Sequence, residues 1–243
     1  MISIIIPALN EESSLRATLD SVCAAEGNCE IVVVDGGSAD STRTIARRYG
    51  PVVTTTPGRA NQMNRGAAAA RGDVLLFLHA DVSFPERGLA AMERALTDRR
   101  VVGGNFDIVY EGRFWFTNRV FALINRWRRP FGIFYGDSGI FVRRSVFEQL
   151  RGYRPLPLME DYDFARRLIR RGRTVCLKES LAVSARRWEE FGLLRTTAAW
   201  FFLHVFYYLG IPSRWWLRLY PHIRRQESRA SPAGTAAKAE WEP

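Results

Sequence analysis

The stretch that decides the fold is Val74-Leu75-Leu76-Phe77-Leu78-His79-Ala80-Asp81, an apolar run that ends on two polar residues around an alanine. A second apolar run, over residues 31–34, ends in the same way on Asp35-Gly36-Gly37-Ser38. Continuous apolar runs of this length are typical of strands buried on both faces of a parallel sheet. Because open α/β sheets bind ligands at the carboxyl ends of such strands, we expect Asp35 and Asp81 to face one crevice. Taken singly, each acid also fits ordinary turn or capping chemistry.

Strand and helix patterns alternate through the first hundred residues. Strands are predicted at residues 2–6, 31–34, 52–55, 74–78 and 101–109. Helices are predicted between them, at 41–49, at 61–70, at 89–96, and in a first helix carrying Leu15, Leu19 and Val22 after a cap at Asn10. This βαβα order predicts a mostly parallel, Rossmann-like central sheet with helices on both faces.

The order is less regular after Tyr110. An apolar stripe on a basic segment predicts a helix that ends before Pro130. A strand is then predicted at 139–142, with a short helix to residue 150, a loop at 152–158, a helix at 160–171 and a strand at 173–177. Residues 226–243 offer little to bury, which predicts a disordered tail.

Size and charge restrict the class of protein. A chain of 243 residues that is 47% hydrophobic fits one α/β domain with a small appendage. Its formal charge of +10 favours ligands bearing phosphate, nucleic acid or anionic lipid. Nine of the arginines lie within residues 113–154, a stretch with only two acids and many aromatic residues.

The pattern of cysteines and apolar runs bears on location. Three cysteines without metal-type spacing suggest a reducing compartment and no disulfide framework. No cleavable signal fits a chain whose core strand starts at its second residue. The late apolar stretch at 198–211 is about 14 residues long, short of the roughly 20 that span a bilayer. We expect a cytoplasmic protein whose aromatic segment at 200–208 docks on the core, with peripheral contact at the inner membrane face as the open alternative.

Five motifs, taken in order, resemble the inverting family 2 glycosyltransferases of GT-A fold. They are Pro7-Ala8-Leu9-Asn10-Glu11-Glu12, Asp35-Gly36-Gly37-Ser38-Ala39-Asp40, residues 58–73, His79-Ala80-Asp81 and Glu160-Asp161. The ending Ser184-Ala185-Arg186-Arg187-Trp188 resembles small, single-domain members, some of them associated with arsenosugar pathways. The resemblance implies a GT-A domain over residues 1–190, split into a nucleotide-binding half at 1–110 and an acceptor half at 111–190. A helical segment at 191–225 and the tail at 226–243 would follow.

The resemblance also implies roles for individual residues. Ala8, Leu9 and Glu11 would line a nucleoside pocket in which Asp35 accepts the N3–H of uracil. Asp81 would bind Mg²⁺ or Mn²⁺ bridging the diphosphate, with Ala80 beside it. Asp161, next to Glu160, would deprotonate the acceptor hydroxyl, although both acids also suit the first turn of a helix.

Other implied contacts are less specific. Arg59 and Asn64 fall in the segment that resembles the nucleotide-proximal helix, where a guanidinium can hold phosphate. Arg187 would touch diphosphate and Trp188 would wall the acceptor site, while Asp137 would contact sugar or acceptor or merely shape a turn.

Two departures from the family pattern matter. His79 stands where the family motif has Asp, so it is either a ligand or a structural histidine. Ser184 replaces the Gln of the Gln-x-x-Arg-Trp motif of processive relatives, which favours transfer of a single sugar over polymer synthesis.

The resulting hypothesis is a metal-dependent inverting enzyme that transfers a single sugar from a UDP-sugar to an acceptor hydroxyl, without nucleic acid as partner. The alternatives are a sugar nucleotidyltransferase, disfavoured because no Gly-rich loop follows the first strand, and a basic membrane-surface or nucleic-acid binding protein without catalysis.

Overall fold

The computed structural model describes residues 1–111, 136–184, 193–211 and Trp216. In this part of the chain eight strands form one sheet. They are β1 (Ile2–Ala8), β2 (Cys29–Asp35), β3 (Val52–Thr54), β4 (Val74–Phe77), β5 (Val82–Ser83), β6 (Val101–Glu111), β7 (Ile140–Arg143) and β8 (Arg173–Ser184). The helices are α1 (Leu15–Cys23), α2 (Thr42–Ala46), α3 (Arg59–Ala69), α4 (Gly88–Leu96), α5 (Arg144–Gln149), α6 (Glu160–Arg171) and α7 (Leu193–Tyr208), with a 3₁₀ turn at Gly136–Ser138.

The strand order is β3-β2-β1-β4-β7-β6-β8-β5. β1 pairs in parallel with β2 and β4, β2 with β3, and β6 with β8. β7 is antiparallel to both β4 and β6, and the short β5 is antiparallel to β8. β4 and β6 therefore point the same way, and the antiparallel β7 between them begins at the edge where they end.

Alternate side chains of the central strands enter two separate cores, one on each face of the sheet. Ile4 and Ile6 pack with residues of α1, α2 and α4, whereas Ile5 packs with residues of α3, α5 and α6. All three isoleucines are fully buried. This two-sided burial is the reason the apolar runs are continuous instead of alternating, and it confirms the predicted layers.

Two differences from the predicted element bounds matter here. The first helix begins at Leu15 with Ser14 at its N-cap, so the predicted cap at Asn10 is wrong. Asn10 instead adopts a left-handed conformation with φ of 56°, which Asn tolerates better than most residues. The strand predicted at 173–177 continues to Ser184, because a register irregularity lets it follow β6 over its whole length.

Part of the prediction falls on residues outside those described. The basic helix expected before Pro130 and the tail at 226–243 lie there. The boundary between a nucleotide-binding and an acceptor half stays a prediction.

No helix among the described residues has the length and apolar character needed to cross a membrane.

Candidate active site

The candidate site lies at the edge where β1, β2 and β4 end. β1 ends at Ala8, whose register partner is Asp35 at the end of β2. β4 ends at Phe77, just before His79 and Asp81. The sheet therefore delivers the acids that follow the two apolar runs to one edge, as the sequence predicted.

Asp35 is fully buried and organises the turn that follows it. Its carboxylate accepts hydrogen bonds from the backbone N–H groups of Gly37, at 3.1 Å, and Ser38, at 3.1 and 3.2 Å. Arg43 places its Nε 3.5 Å from the same carboxylate. Gly37 has a φ of +95°, a conformation that side chains other than hydrogen rarely allow. The buried charge is thus supported by backbone donors and one half-exposed arginine.

The loop after β1 is bonded to the loop after β2. The N–H of Asn10 donates to Ser38 Oγ at 3.0 Å, and the N–H of Glu11 donates to Thr42 Oγ1 at 2.8 Å. In return, the N–H of Ala39 donates to Asn10 Oδ1 at 2.9 Å. Asn10 therefore acts as a cross-brace between loops, and its left-handed backbone holds the predicted pocket residues around Glu11 beside Asp35.

Arg59 is the cation around which the acids of the site gather. It begins α3, directly after Gly58, and its Nη1 lies 3.7 Å from Glu160 Oε1. The side chain is 43% exposed, and the fields of four carboxylates outweigh the effect of its partial burial and raise the pKa of the guanidinium. These carboxylates belong to Glu160, Asp161, Asp81 and Glu11. The structure thus brings together residues that lie up to 150 positions apart in sequence.

Asp161 is held from two sides. Its Oδ2 accepts the Gly136 N–H at 2.7 Å, and its Oδ1 accepts the Tyr162 N–H at 2.7 Å. A Cβ at position 136 would lie 2.8 Å from Asp161 Oδ2 and 3.0 Å from His79 Nε2. The glycine backbone is therefore wedged between the two side chains, and His79 lies near the predicted base as well as near Asp81.

Glu160 is buried beside Asp161 in the first turn of α6. Burial, and then the charge of Asp161, raise the pKa of Glu160 to about 7, although Arg59 opposes the shift. The residue before it, Met159, is buried and has a left-handed φ of 64°. A non-glycine residue in that conformation is uncommon and strained, which is often seen next to functional sites.

Asn64 contacts a loop of the protein. Its amide donates to the carbonyl of Tyr153 at 2.8 Å and accepts the N–H of Tyr153 at 2.9 Å. The ring of Tyr153 stacks on Phe164 of α6, with centroids 4.4 Å apart, and meets Phe77 edge to face. Asn64 therefore joins α3 to the loop that leads into α6, and a nucleotide contact by this residue stays a prediction.

Asp137 and Asp163 lie at the rim of the site. Asp137 accepts a hydrogen bond from the Tyr110 hydroxyl at 3.1 Å. Asp163 bonds Arg167 at 2.7 Å, Arg154 at 3.2 Å and the Tyr207 hydroxyl at 3.0 Å. Asp163 is thus a structural anchor for α6 and the elements around it.

The aromatic helix α7 docks on the start of α6. Met159 and Tyr162 form a small core with Leu203 and Trp216, and the Tyr162 and Tyr208 hydroxyls lie 2.8 Å apart. This confirms the expected docking of the aromatic segment on the core.

Two residues that shape the site, Tyr153 and Gln62, were not predicted from the sequence. Of these, only Gln62 could have been recognised from the sequence. It is a polar residue at the second position of the helix predicted at 61–70, and a polar side chain that packs against a sheet needs hydrogen-bond partners. Arg187 and Trp188 lie outside the described residues. Among the residues described, no group of three or more His, Cys, Asp or Glu side chains is arranged to hold a metal ion.

Comparison with known protein families decides the classification. The family model described as Glycosyl transferase family 2 matches residues 3–151. The chain belongs to this family. The match covers β1 to β7, the turn after Asp35, α3 and the His79-Ala80-Asp81 segment, while β8 and Asp161 lie beyond it.

Curated relatives match over a shorter segment. A PGL/p-HBAD biosynthesis glycosyltransferase of Mycobacterium tuberculosis is 44% identical over 95 residues, which are 35% of this chain and 37% of that protein. A glucosyl-3-phosphoglycerate synthase of the same species is 32% identical over 96 residues, 35% of this chain and 30% of that protein. The matched segment thus spans about a third of the length of these relatives.

Solved structures establish the fold. TarS of S. aureus, in complex with UDP-GlcNAc, superposes with a TM-score of 0.62 at 16% identity, covering 75% of this chain and 58% of that one. The mannosyltransferase PcManGT of Pyrobaculum calidifontis, in complex with GDP-Man and Mn²⁺, gives a TM-score of 0.61 at 21% identity, covering 96% and 76%. The predicted GT-A fold is confirmed, whereas the finer resemblance to arsenosugar-associated members stays a prediction.

Proposed function

We propose that this family 2 protein is an inverting, metal-dependent glycosyltransferase that moves a single sugar from a UDP-sugar to an acceptor hydroxyl. The observation that carries the proposal is the gathering of Glu11, Asp81, Glu160 and Asp161 around Arg59, at the edge of the sheet that also holds Asp35. A nucleotide sugar needs a base pocket, a means of neutralising diphosphate and a base for the acceptor, and this arrangement offers residues for all three.

The base pocket would lie between the ends of β1 and β2. Ala8, Leu9 and Glu11 would line it, and Asp35 would accept the uracil N3–H with a lone pair that the turn leaves over, since an ionised carboxylate has about four acceptor sites. Guanine would present a different hydrogen-bonding edge to Asp35. The solved relatives were crystallised with UDP-GlcNAc in one case and GDP-Man in the other, so the choice of uridine rests on Asp35 alone.

A divalent cation fits beside this pocket. Asp81 is a half-buried carboxylate at the end of β4, with Ala80 and His79 just before it. Mg²⁺ is commonly held by one or two carboxylates, with phosphate oxygens and water as its other ligands, so such a site needs no larger acidic cluster than Asp81 supplies. When bound, the cation would neutralise charge on the departing diphosphate. Arg59 would hold the same diphosphate, as would Arg187, which lies outside the described residues.

Asp161 would be the general base. Its buried carboxylate is held in a fixed orientation by two backbone N–H groups. In the proposed reaction Asp161 takes the proton of the acceptor hydroxyl as the oxygen attacks the anomeric carbon. The bond from that carbon to the diphosphate oxygen breaks in the same step, and the configuration inverts. Asp137 and Trp188 would contact sugar or acceptor.

Contact with an anionic membrane surface is proposed for the free face of α7. Phe201, Phe202 and Tyr208 are 65%, 48% and 60% exposed, and they fall within one third of the helix circumference. Leu209, the residue after the helix, is 70% exposed. The opposite face, with Leu203, packs on α6. A basic chain with an exposed aromatic stripe suits an interface of anionic headgroups. Vesicle co-sedimentation should therefore be lost in the double variant Phe201→Ser/Phe202→Ser.

The deciding experiment for the catalytic proposal is calorimetric titration of UDP, GDP and CDP with Mn²⁺, with Mg²⁺ and with chelator. It would be followed by assays for UDP release from UDP-sugars. We expect UDP to bind most tightly, and only with a cation present. Equal affinity in chelator would contradict metal dependence, and pyrophosphate release from UTP and a sugar phosphate would instead indicate the alternative nucleotidyltransferase. Binding of anionic vesicles or nucleic acid without affinity for any nucleotide would favour the alternative binding module.

A further inference from the structure

Gln62 of α3 places a buried amide between the ends of β1 and β2. The residue is 4% exposed, and its Nε2 lies 2.9 Å from the carbonyl oxygen of Ala8 and 2.9 Å from that of Val34. A side-chain amide has two N–H donors, so one group satisfies both carbonyls. These carbonyls lie at the end of the hydrogen-bonded pairing between β1 and β2, where the turn after Asp35 begins.

The turn itself is built around this amide. The Gly36 N–H donates to the same Ala8 carbonyl at 2.9 Å. A Cβ at position 36 would lie 3.1 Å from the amide carbon and from the amide nitrogen of Gln62. The chain at Gly36 therefore lies against the Gln62 amide, in a space that fits glycine without adjustment. The amide thereby limits how closely the turn approaches the sheet.

The position of Gln62 also links the two ends of the donor site. It lies three residues after Arg59 in α3, and residues at this spacing share one face of a helix. Arg59 faces the carboxylates of Glu160 and Asp81, whereas Gln62 grips the strand ends beneath Asp35. One turn of α3 thus carries Arg59, which would contact the diphosphate, and Gln62, which supports the part of the proposed pocket that holds the base.

We infer that Gln62 is a positioning residue for nucleobase selection. Its amide holds Asp35 and the Gly36–Ser38 turn in the position from which the carboxylate accepts the N3–H of the base. The inference rests on the proposed UDP site. Gln62 acts through Asp35 and touches neither donor nor acceptor. Its loss removes one hydrogen-bond donor from each of two buried carbonyls, those of Ala8 and Val34, and leaves Ala8 with the Gly36 N–H alone. The weakened contact lets the turn shift or draws in water.

The test uses Gln62→Met, which keeps the length and helix propensity of the side chain but removes both donors. Met63→Ala is the matched control, because Met63 is buried in the same helix and packs in the apolar core, with no hydrogen-bonding group on its side chain that could hold the strand-end carbonyls. Both variants should lower the melting temperature. Only Gln62→Met should raise the Kd for UDP, by at least about tenfold, and bring the Kd values for UDP and CDP together, since cytosine lacks the N3–H that Asp35 reads.

Amide hydrogen exchange in the ligand-free protein gives a second readout. We expect faster exchange at Gly37 and Ser38 in Gln62→Met and unchanged exchange there in Met63→Ala. Wild-type selectivity for UDP over CDP in Gln62→Met, or an equal loss in both variants, would overturn the inference. If Gln62→Met does not fold, Gly36→Ala presses on the same amide and should show the same loss of selectivity. If the wild type binds no UDP, the proposed donor is wrong, and unaltered exchange at Gly37 and Ser38 would then reject the role of Gln62 in holding the turn.

Discussion

The backbone N–H of Gly136 donates a 2.7 Å hydrogen bond to Asp161, the carboxylate proposed to deprotonate the acceptor. The donor precedes its acceptor by 25 residues and belongs to the turn that leads into β7. Because a Cβ at position 136 would crowd both Asp161 and His79, the glycine fixes the base by its lack of a side chain as well as by its N–H.

Gly136→Ala should therefore displace Asp161. We expect kcat to fall by about 10- to 100-fold, because small misplacements of a reacting group are costly, while the Kd for UDP stays within about twofold. Steady-state kinetics and calorimetry check this. An alanine variant with normal kcat would show that the contact does not set the position of the base.

Asp161→Asn tests the base itself. Turnover should fall by about 10² to 10⁴, the usual share of general-base catalysis, with affinity for UDP retained. Both carboxylate oxygens accept backbone N–H groups, so the new amide must turn its NH₂ toward one of them, and stability should also fall by roughly 1–3 kcal/mol.

The control for that loss of stability is Asp163→Asn, two residues further along α6. This change weakens the ion pairs of Asp163 with Arg154 and Arg167 and should lower the melting temperature without a comparable effect on kcat. If the two variants lost turnover in proportion to their stability, Asp161 would be a structural cap.

Asp81→Ala should remove the metal-dependent part of UDP binding. The Kd for UDP in Mn²⁺ should rise to the value that the wild type shows in chelator, since the remaining contacts come from Asp35 and the basic side chains. Calorimetry with and without chelator measures this directly. A variant whose UDP affinity still responds to Mn²⁺ would place the cation elsewhere.

Glu160 should make stability depend on pH. Its pKa is raised to about 7 in the fold, above its usual 4.5, so the native state holds a proton that the unfolded chain loses. The stabilisation is complete below about pH 4.5 and is lost as the pH rises through 7. Glu160→Gln keeps a neutral side chain, so relative to the wild type it should gain up to about 3 kcal/mol between pH 5 and pH 8. Urea unfolding across that range checks the sign, and parallel curves for the two proteins would contradict it.

The layers of the fold and the edge that holds the site could be predicted from sequence because both follow from local patterns. The run that ends at Val34 must be buried on both faces, and the chain must turn at the glycines that follow Asp35. The antiparallel direction of β7 and the short β5 could not be predicted, because neither has a local signature that separates it from a parallel strand.

Candidate site residues could be predicted from sequence where the side chain is itself chemically reactive. They could not be predicted where a residue matters only because of its position in the fold. Asp81 and Asp161 are chemically conspicuous, and the structure places both near Arg59. Gly136 matters only through its proximity to Asp161, and Gln62 only through two carbonyls of distant strands. Such contacts depend on tertiary geometry, which no periodicity in the chain encodes.

Because β7 runs antiparallel to β4 and β6, the chain enters it at the edge of the sheet that holds the candidate site. β6 ends at Glu111 and β7 is preceded by the turn at Gly136, so both attachment points of residues 112–135 lie at the margin of the site, where the Tyr110 hydroxyl already bonds Asp137. Substitutions or insertions in that stretch would therefore enter the chain at this margin, away from the pairing of β1 with β2 and β4.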